Sequence, residues 1–335
     1  MKKKVLVLGG TGAMGPYAVK ELLNKGFKVD AICLEEMKSD NPDLRYWVAN
    51  AKDRRYIKNL LEIEKYDGIL DFMIYTTPEF AERFETFLQN TEHYIYLSSY
   101  RVYANEDEVI TEESPRLLDA SYDKKFLASE DYSLYKARCE NILNASKYDN
   151  WTIVRPAITY SENRYQIVTL EANATIARML QGKKIVLPKE ARDVEATMSY
   201  AGDLGKMYAG IMLNPKAFRE TYTFATAEHN TWGYVADCYT EILGVQFEWV
   251  DKEDYLKIVG CGEIKLWNRW QLEYDRLFDR RVDNSKILEI SGLKQEDLMP
   301  LKDGLRKVLS SVDLKARYTE GTLDKYMDEY LDKMN

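Results

Sequence analysis

Short apolar runs alternate with longer amphipathic stretches through residues 1–160. Val5-Leu6-Val7-Leu8 is a continuous apolar run, the pattern of a strand buried on both faces. A glycine-rich turn follows, and Tyr17 to Asn24 predicts a helix that stops near Gly26. Val29 to Leu34 and Tyr46-Trp47-Val48 predict the second and third strands, and Arg54 to Lys65 a charged helix. Gly68 to Met73 reads as a fourth strand, Pro78 to Gln89 as a helix opened by proline, and Tyr94 to Leu97 as a fifth strand. A polar loop over 104–121, a helix from Ser129 to Ser146 and a strand at Trp151 to Val154 complete the series. This alternation predicts a parallel sheet covered by helices. Further on the spacing is irregular. Helices are expected at 166–181, 203–213, 231–243 and 301–311, and strands at 184–187 and 221–225. No repeat, low-complexity segment or flexible linker interrupts the chain.

The strongest chemical signal is Gly9-Gly10-Thr11-Gly12-Ala13-Met14-Gly15, directly after the first strand and opening the first helix. Glycines at 9, 12 and 15 permit a sharp turn, a close phosphate approach and tight packing of helix on sheet. The helix start then offers free N–H groups and the positive end of its dipole to a pyrophosphate. The expectation is a bound dinucleotide.

A second signal pairs two segments. Ser98-Ser99-Tyr100-Arg101-Val102-Tyr103 follows the fifth strand, and Tyr132-Ser133-Leu134-Tyr135-Lys136 lies on the next helix. Tyr132 and Lys136 are four apart and share a helix face. A phenol is a poor base near neutral pH, and a neighbouring ammonium favours its phenolate. A hydroxyl at the end of the neighbouring strand could hold the substrate oxygen that gains or loses the proton.

Together these segments resemble the extended short-chain dehydrogenase/reductases, specifically the NAD-dependent epimerase/dehydratase branch acting on nucleotide sugars. The resemblance runs from residue 1 to about 310, and includes Arg155-Pro156 and Gly202-Asp203-Leu204. It implies an α/β fold, a Rossmann-type doubly wound parallel sheet with a smaller C-terminal α/β substrate domain. The sheet domain would occupy 1–160, with segments around 185–230 returning to it, and the substrate domain 161–335. It makes Ser99, Tyr132 and Lys136 the catalytic trio, with Tyr132 as acid/base, Ser99 on the reacting oxygen and Lys136 on the nicotinamide ribose. The cofactor would contact Gly9, Thr11, Gly12, Ala13, Met14, Gly15, Glu35, Asn50, Tyr132, Lys136 and Pro156. Cys33 and Leu34 end the second strand, where relatives commonly have an acid on the adenosine ribose. Glu35 and Glu36 follow one or two residues late, and no arginine stands there for a 2′-phosphate. NAD is therefore favoured, with NADP not excluded.

The substrate side is less determined. Where the 4,6-dehydratases of this family have an Asp-Glu pair, this chain has Tyr100-Arg101, which argues against dehydration and decarboxylation. Epimerases and 4-ketoreductases need only the trio. Arg280 and Arg281, in Phe278 to Lys286, resemble arginines that relatives place on a substrate pyrophosphate. Tyr100, Arg101, Arg280 and Arg281 are thus the substrate-binding candidates. The same stretch also resembles the chloroplast stem-loop RNA-binding branch of the superfamily, a rival reading. Trp267, Trp270 and Tyr274 fall at helical spacing and are expected to pack in the core.

Composition narrows the classes. Of 335 residues, 45% are hydrophobic and 30% charged, enough to bury a large core. The 55 acidic against 47 basic residues give a formal charge of -8, which opposes a nucleic-acid partner. Two histidines without ligand spacing oppose a metal site or a histidine-based triad. Four dispersed cysteines suit a reducing compartment, and no run suggests a membrane span or signal peptide, so a cytoplasmic protein is expected. The expected partners are a nucleotide-linked sugar and a second copy of the chain in a homodimer, with no nucleic acid and no membrane.

Overall fold

The computed structural model describes residues 2–311, 313–314 and 321–334. The apolar runs of the first half form strands β1 (Lys4–Leu8), β2 (Lys28–Cys33), β3 (Leu44–Val48), β4 (Gly68–Asp71), β5 (His93–Leu97) and β6 (Trp151–Pro156). A late strand, β7 (Glu220–Phe224), joins the same sheet. The order is β7-β6-β5-β4-β1-β2-β3, and every neighbouring pair is parallel. This is the doubly wound, Rossmann-type arrangement. The winding reverses between β1 and β4, which opens a crevice beyond the carboxyl ends of the strands.

Alternation along β1 divides the core into two layers. Val5 and Val7 face helices α1 (Gly15–Asn24) and α4 (Ala201–Ile211), meeting Ala18, Leu22, Leu204 and Met207. Leu6 and Leu8 face α2 (Arg54–Ile63) and α3 (Tyr132–Asn144), meeting Ile57, Leu60, Leu61, Cys139 and Leu143. Each such buried side chain contributes about 1.5–3 kcal/mol.

The rest of the chain folds over the carboxyl edge. Its apolar core gathers Tyr165, Ile185, Leu187, Trp232, Tyr255, Leu305 and Val308 and runs on without a break to Tyr100, Val102 and Ala137 of the first half. The crevice therefore lies between two parts that share packing.

Two elements differ from the sequence expectation. The helix expected over Pro78 to Gln89 is two short helices, Thr77–Ala81 and Phe84–Leu88. At the break Arg83 turns back to donate to the Glu79 and Lys52 carbonyls at 2.7 and 3.1 Å. The helix expected over 166–181 begins only at Ala172, because Gln166–Ile167 and Leu170–Glu171 form a tight hairpin with Val168 at φ 49°. The apolar spacing of Ile167, Val168 and Leu170 fills a core there without being helical. Among the described residues no helix is long and apolar enough to cross a membrane.

Candidate active site

The loop after β1 is pinned by Gly9 and Gly10 N–H groups, which both donate to the Ile32 carbonyl of β2 at 3.2 and 3.0 Å. Gly9 has φ +82°, and a Cβ on Gly15 would lie 2.4 Å from the Gly9 carbonyl oxygen. Both positions need glycine for the turn itself. Gly12 is different. It is exposed, has no positive φ, and a Cβ there would meet nothing nearer than 3.4 Å. The protein's own packing does not explain that glycine; it leaves a cradle that a Cβ would fill. Behind it α1 starts with no side-chain cap, so its first N–H groups and dipole face this space. Residues 9–15 thus fit the pyrophosphate of a dinucleotide.

Ser99 ends the segment after β5 and is buried. Its Oγ accepts from the Arg101 N–H at 3.2 Å, which leaves the Ser99 O–H free to donate elsewhere. Tyr132 is the first residue of α3. Asp131 caps that helix by accepting from the Ser133 N–H at 2.9 Å and the Ser133 hydroxyl at 2.7 Å. One turn later Lys136 is fully buried, with Nζ donating to the Leu97 carbonyl and lying 5.8 Å from the centre of the Tyr132 ring. Beneath them Asp71, at the end of β4, accepts from Tyr94 Oη at 2.8 Å and Met73 N at 2.9 Å. Burial pushes its carboxyl up to about 6.

A cavity of about 440 Å³ joins these parts at the carboxyl edge of the sheet. Gly9, Gly12, Ala13, Met14 and Gly15 form one wall, with Ser99, Tyr100, Arg101, Tyr132 and Pro156 among the others. Lys136 lies behind the lining, under Tyr132. Thr11 is outside it, with its carbonyl facing Asn163 at 3.5 Å. Glu35 and Asn50 are exposed beyond β2 and β3, and neither lines the cavity.

The C-terminal arginines fall elsewhere than their sequence neighbourhood suggests. Arg280 is 1% exposed and spends its guanidinium inside the wall, on Asp275 at 3.2 Å and the Tyr103 carbonyl at 3.1 Å. Arg281 pairs with Glu195 at 2.6 Å and Glu108 at 3.4 Å on the outside. Neither reaches the cavity. Arg164 and Arg276 do, together with Gln271, Glu171 and the apolar stretch Phe72-Met73-Ile74. Burial pushes the Arg276 guanidinium down to about 10. Phe72 to Ile74 and Ala157 to Thr159 could have been found by extending β4 and β6 past their carboxyl ends, where such sheets bind ligands. Arg276 and Gln271 lie in the irregular second half and carry no comparable signal. In the aromatic trio near them, Trp270 and Tyr274 pack on Phe126, but Trp267 is 62% exposed. Among the described residues no cluster of three or more His, Cys, Asp or Glu could hold a metal.

Solved structures share this architecture. The UDP-glucose 4-epimerase of Thermus thermophilus, solved with NAD, superposes with a TM-score of 0.65 at 16% identity, over 92% of this chain and 98% of that one. The UDP-glucose 4-epimerase of Thermotoga maritima, solved with UDP-glucose, gives 0.63 at 15% identity, over 92% and 97%. The chain shares the fold of these epimerases, a Rossmann-type parallel sheet with a second part over its carboxyl edge. A curated relative similar in sequence is the chloroplast stem-loop binding protein of 41 kDa b from Arabidopsis thaliana. It is 24% identical over 250 residues, 70% of this chain and 62% of the relative's length. No family model matches the chain. The cavity sits at the crevice this fold opens. It combines a hydroxyl, a phenol and a buried ammonium suited to moving a proton with arginines suited to an anionic ligand.

Proposed function

We propose that this protein is an NAD-dependent epimerase of a nucleotide-linked sugar. The same parts run in one direction only would make it an NAD(P)H-dependent 4-keto-sugar reductase. One observation carries the reading: a single cavity is lined by the glycine loop with its cradle at Gly12 and also by Ser99 and Tyr132. The solved epimerases of this architecture contain NAD or UDP-glucose, which supports both ligand classes.

Bound NAD would supply a hydride acceptor at the carboxyl edge of the sheet. The residues would do the rest. Gly12 and the start of α1 would receive the pyrophosphate, and Lys136 would hold the ribose with the N–H groups Leu97 does not use. Glu35, near the end of β2, would favour the free ribose of NAD over a 2′-phosphate, and Asn50 would face adenine. Ser99 would donate to the sugar oxygen while Tyr132 takes its proton, and the Lys136 ammonium would offset the charge of the deprotonated phenol. We place the protein in a reducing cytoplasm, which suits its four free cysteines, three of them buried. A homodimer through α3 belongs to the reading, and a monomeric mass by light scattering would remove it.

The test is to incubate the full chain with UDP-glucose and follow C4 inversion and the reduced-nicotinamide absorbance. Tyr132→Phe should lower turnover by about 10²–10⁴. Turnover unchanged by Tyr132→Phe would sink the mechanism. A second reading, RNA association, is favoured by the 70% of the chain aligned with a stem-loop binding protein. The net charge of -8 opposes it. Stem-loop RNA retained at about 0.15 M salt, with no catalysis, would decide for it.

A further inference from the structure

Beside Tyr132 the cavity wall holds more positive charge than it neutralises. Three guanidiniums, of Arg101, Arg276 and Arg280, surround the one carboxylate of Asp275, which is 1% exposed. Arg280 is fully engaged with Asp275 and backbone carbonyls. Arg276 donates to the Val168 carbonyl at 2.7 Å and Gln166 Oε1 at 3.0 Å, and its third nitrogen, Nη1, is in direct contact with Asp275 Oδ2. Arg101 is the least satisfied. Its buried Nε faces Asp275 at 3.4 Å and its Nη2 faces Asp131 at 3.8 Å, and its guanidinium hydrogen-bonds to neither. Asp131 is already occupied by Ser133 at the α3 cap. Arg101 lies 5.1 Å over the Tyr132 ring, and both Arg101 and Arg276 line the cavity.

A buried guanidinium left without a hydrogen-bond acceptor is costly, and Arg101 calls for a ligand that completes it. Three cations against Asp275 and Asp131 leave an excess of one positive charge, so a neutral pyranose alone would not balance the site. The dinucleotide's pyrophosphate has its own place at Gly12 and the start of α1. A diphosphate on C1 of the sugar lies across the ring from the C4 that Tyr132 would serve, whereas Arg101 lies over Tyr132 itself. A planar carboxylate matches a guanidinium edge to edge.

We propose that the substrate is an acidic sugar, whose carboxylate is received by Arg101 with Arg276 next to the carbon on which Ser99 and Tyr132 act. This inference rests on the reading given under Proposed function and narrows its substrate class. Arg101 then sets specificity, in place of the acidic pair that stands at Tyr100-Arg101 in dehydratases.

The test uses the full chain with saturating NAD and two free sugars, D-glucuronate and D-glucose, followed by saturation-transfer NMR at millimolar concentration. Glucuronate should bind at least about tenfold more tightly than glucose, and Arg101→Met should remove that preference. Arg101→Met breaks no hydrogen bond of its guanidinium, and a melting curve checks that it folds. Arg101→Lys, which keeps the charge without the planar fork, should retain part of the preference. Equal binding of the two sugars, or a preference untouched by Arg101→Met, overturns the proposal. UDP-glucose titrated in parallel separates the two claims. If it binds while glucuronate does not, the nucleotide-sugar reading stands and the acidic substrate falls. If glucuronate binds and UDP-glucose does not, the Arg101 subsite stands and the nucleotide falls.

Discussion

Two buried clusters, each an acid ringed by arginines, sit within one helix of each other and are put to different use. Around Glu140, on α3, every group is satisfied. The carboxylate accepts from Arg155 Nε and Nη2 at 2.9 and 2.8 Å, from Arg116 at 3.1 Å and from the Ser98 hydroxyl at 2.5 Å. The remaining arginine donors reach the Glu112 and Ala137 carbonyls, Asp119 and Asn141. Around Asp275 the same residue types leave the Arg101 guanidinium with ion pairs at 3.4 and 3.8 Å and no hydrogen bond, beside a cavity. The first cluster holds the sheet, the loop before α3 and α3 itself together. The second is incomplete until something else arrives. Satisfaction of donors, more than the count of charges, separates a structural ion cluster from a binding one.

The comparison breaks most visibly at Glu140. Glu140→Gln leaves the buried Arg155 guanidinium without a counter-charge, Arg116 keeping Asp119, and should cost about 3–5 kcal/mol in urea unfolding. A loss below about 1 kcal/mol would erase the distinction between the clusters. Gly12→Val should fold like the wild type, since its Cβ meets nothing nearer than the Gly9 carbonyl oxygen at 3.4 Å, yet weaken NAD binding about a hundredfold by calorimetry. Unchanged affinity would mean the cradle holds no phosphate.

Acid should reveal Glu140 next. Burial pushes its carboxyl up, but Arg155, the Ser98 hydroxyl and Arg116 together hold it below the ordinary 4.5. Its stabilising contribution is complete above that value and is lost as the pH falls through the depressed folded value, by at most about 1.4 kcal/mol per pH unit. Wild-type urea midpoints should therefore fall more steeply below pH 4.5 than those of Glu140→Gln. Parallel curves would contradict it. The smallest expected effect is at the other cluster: Arg101→Met should change stability by less than about 1 kcal/mol, because it removes no hydrogen bond of the guanidinium. A loss like that of Glu140→Gln would make Arg101 a structural residue.

The first half was readable from the chain because local pattern and global fold agree there. Val5 to Leu8, the glycine turn and Tyr94 to Leu97 each carry their own signal, and a parallel sheet follows from their alternation. The second half was not. The hairpin at Gln166 to Glu171 depends on Val168 adopting a positive φ, which no spacing of apolar residues announces. The arginines show the limit more sharply. Arg276 and Arg280 are four residues apart, the first ending a helix kinked at Tyr274 and the second beyond that end. One guanidinium turns to the cavity and the other into the wall, a choice made by tertiary packing. Glu35 and Asn50 were located by position along the chain, and the strand ends place them on exposed backbone outside the cavity.

The central claim is that this cavity holds a dinucleotide at Gly12. Native mass spectrometry of the purified full chain, with NAD(H) added and then released under denaturing conditions, tests it most directly. The account predicts one NAD(H) per chain in the wild type and none in Gly12→Val at the same concentration. A wild-type chain that takes up neither NAD(H) nor NADP(H) would contradict it.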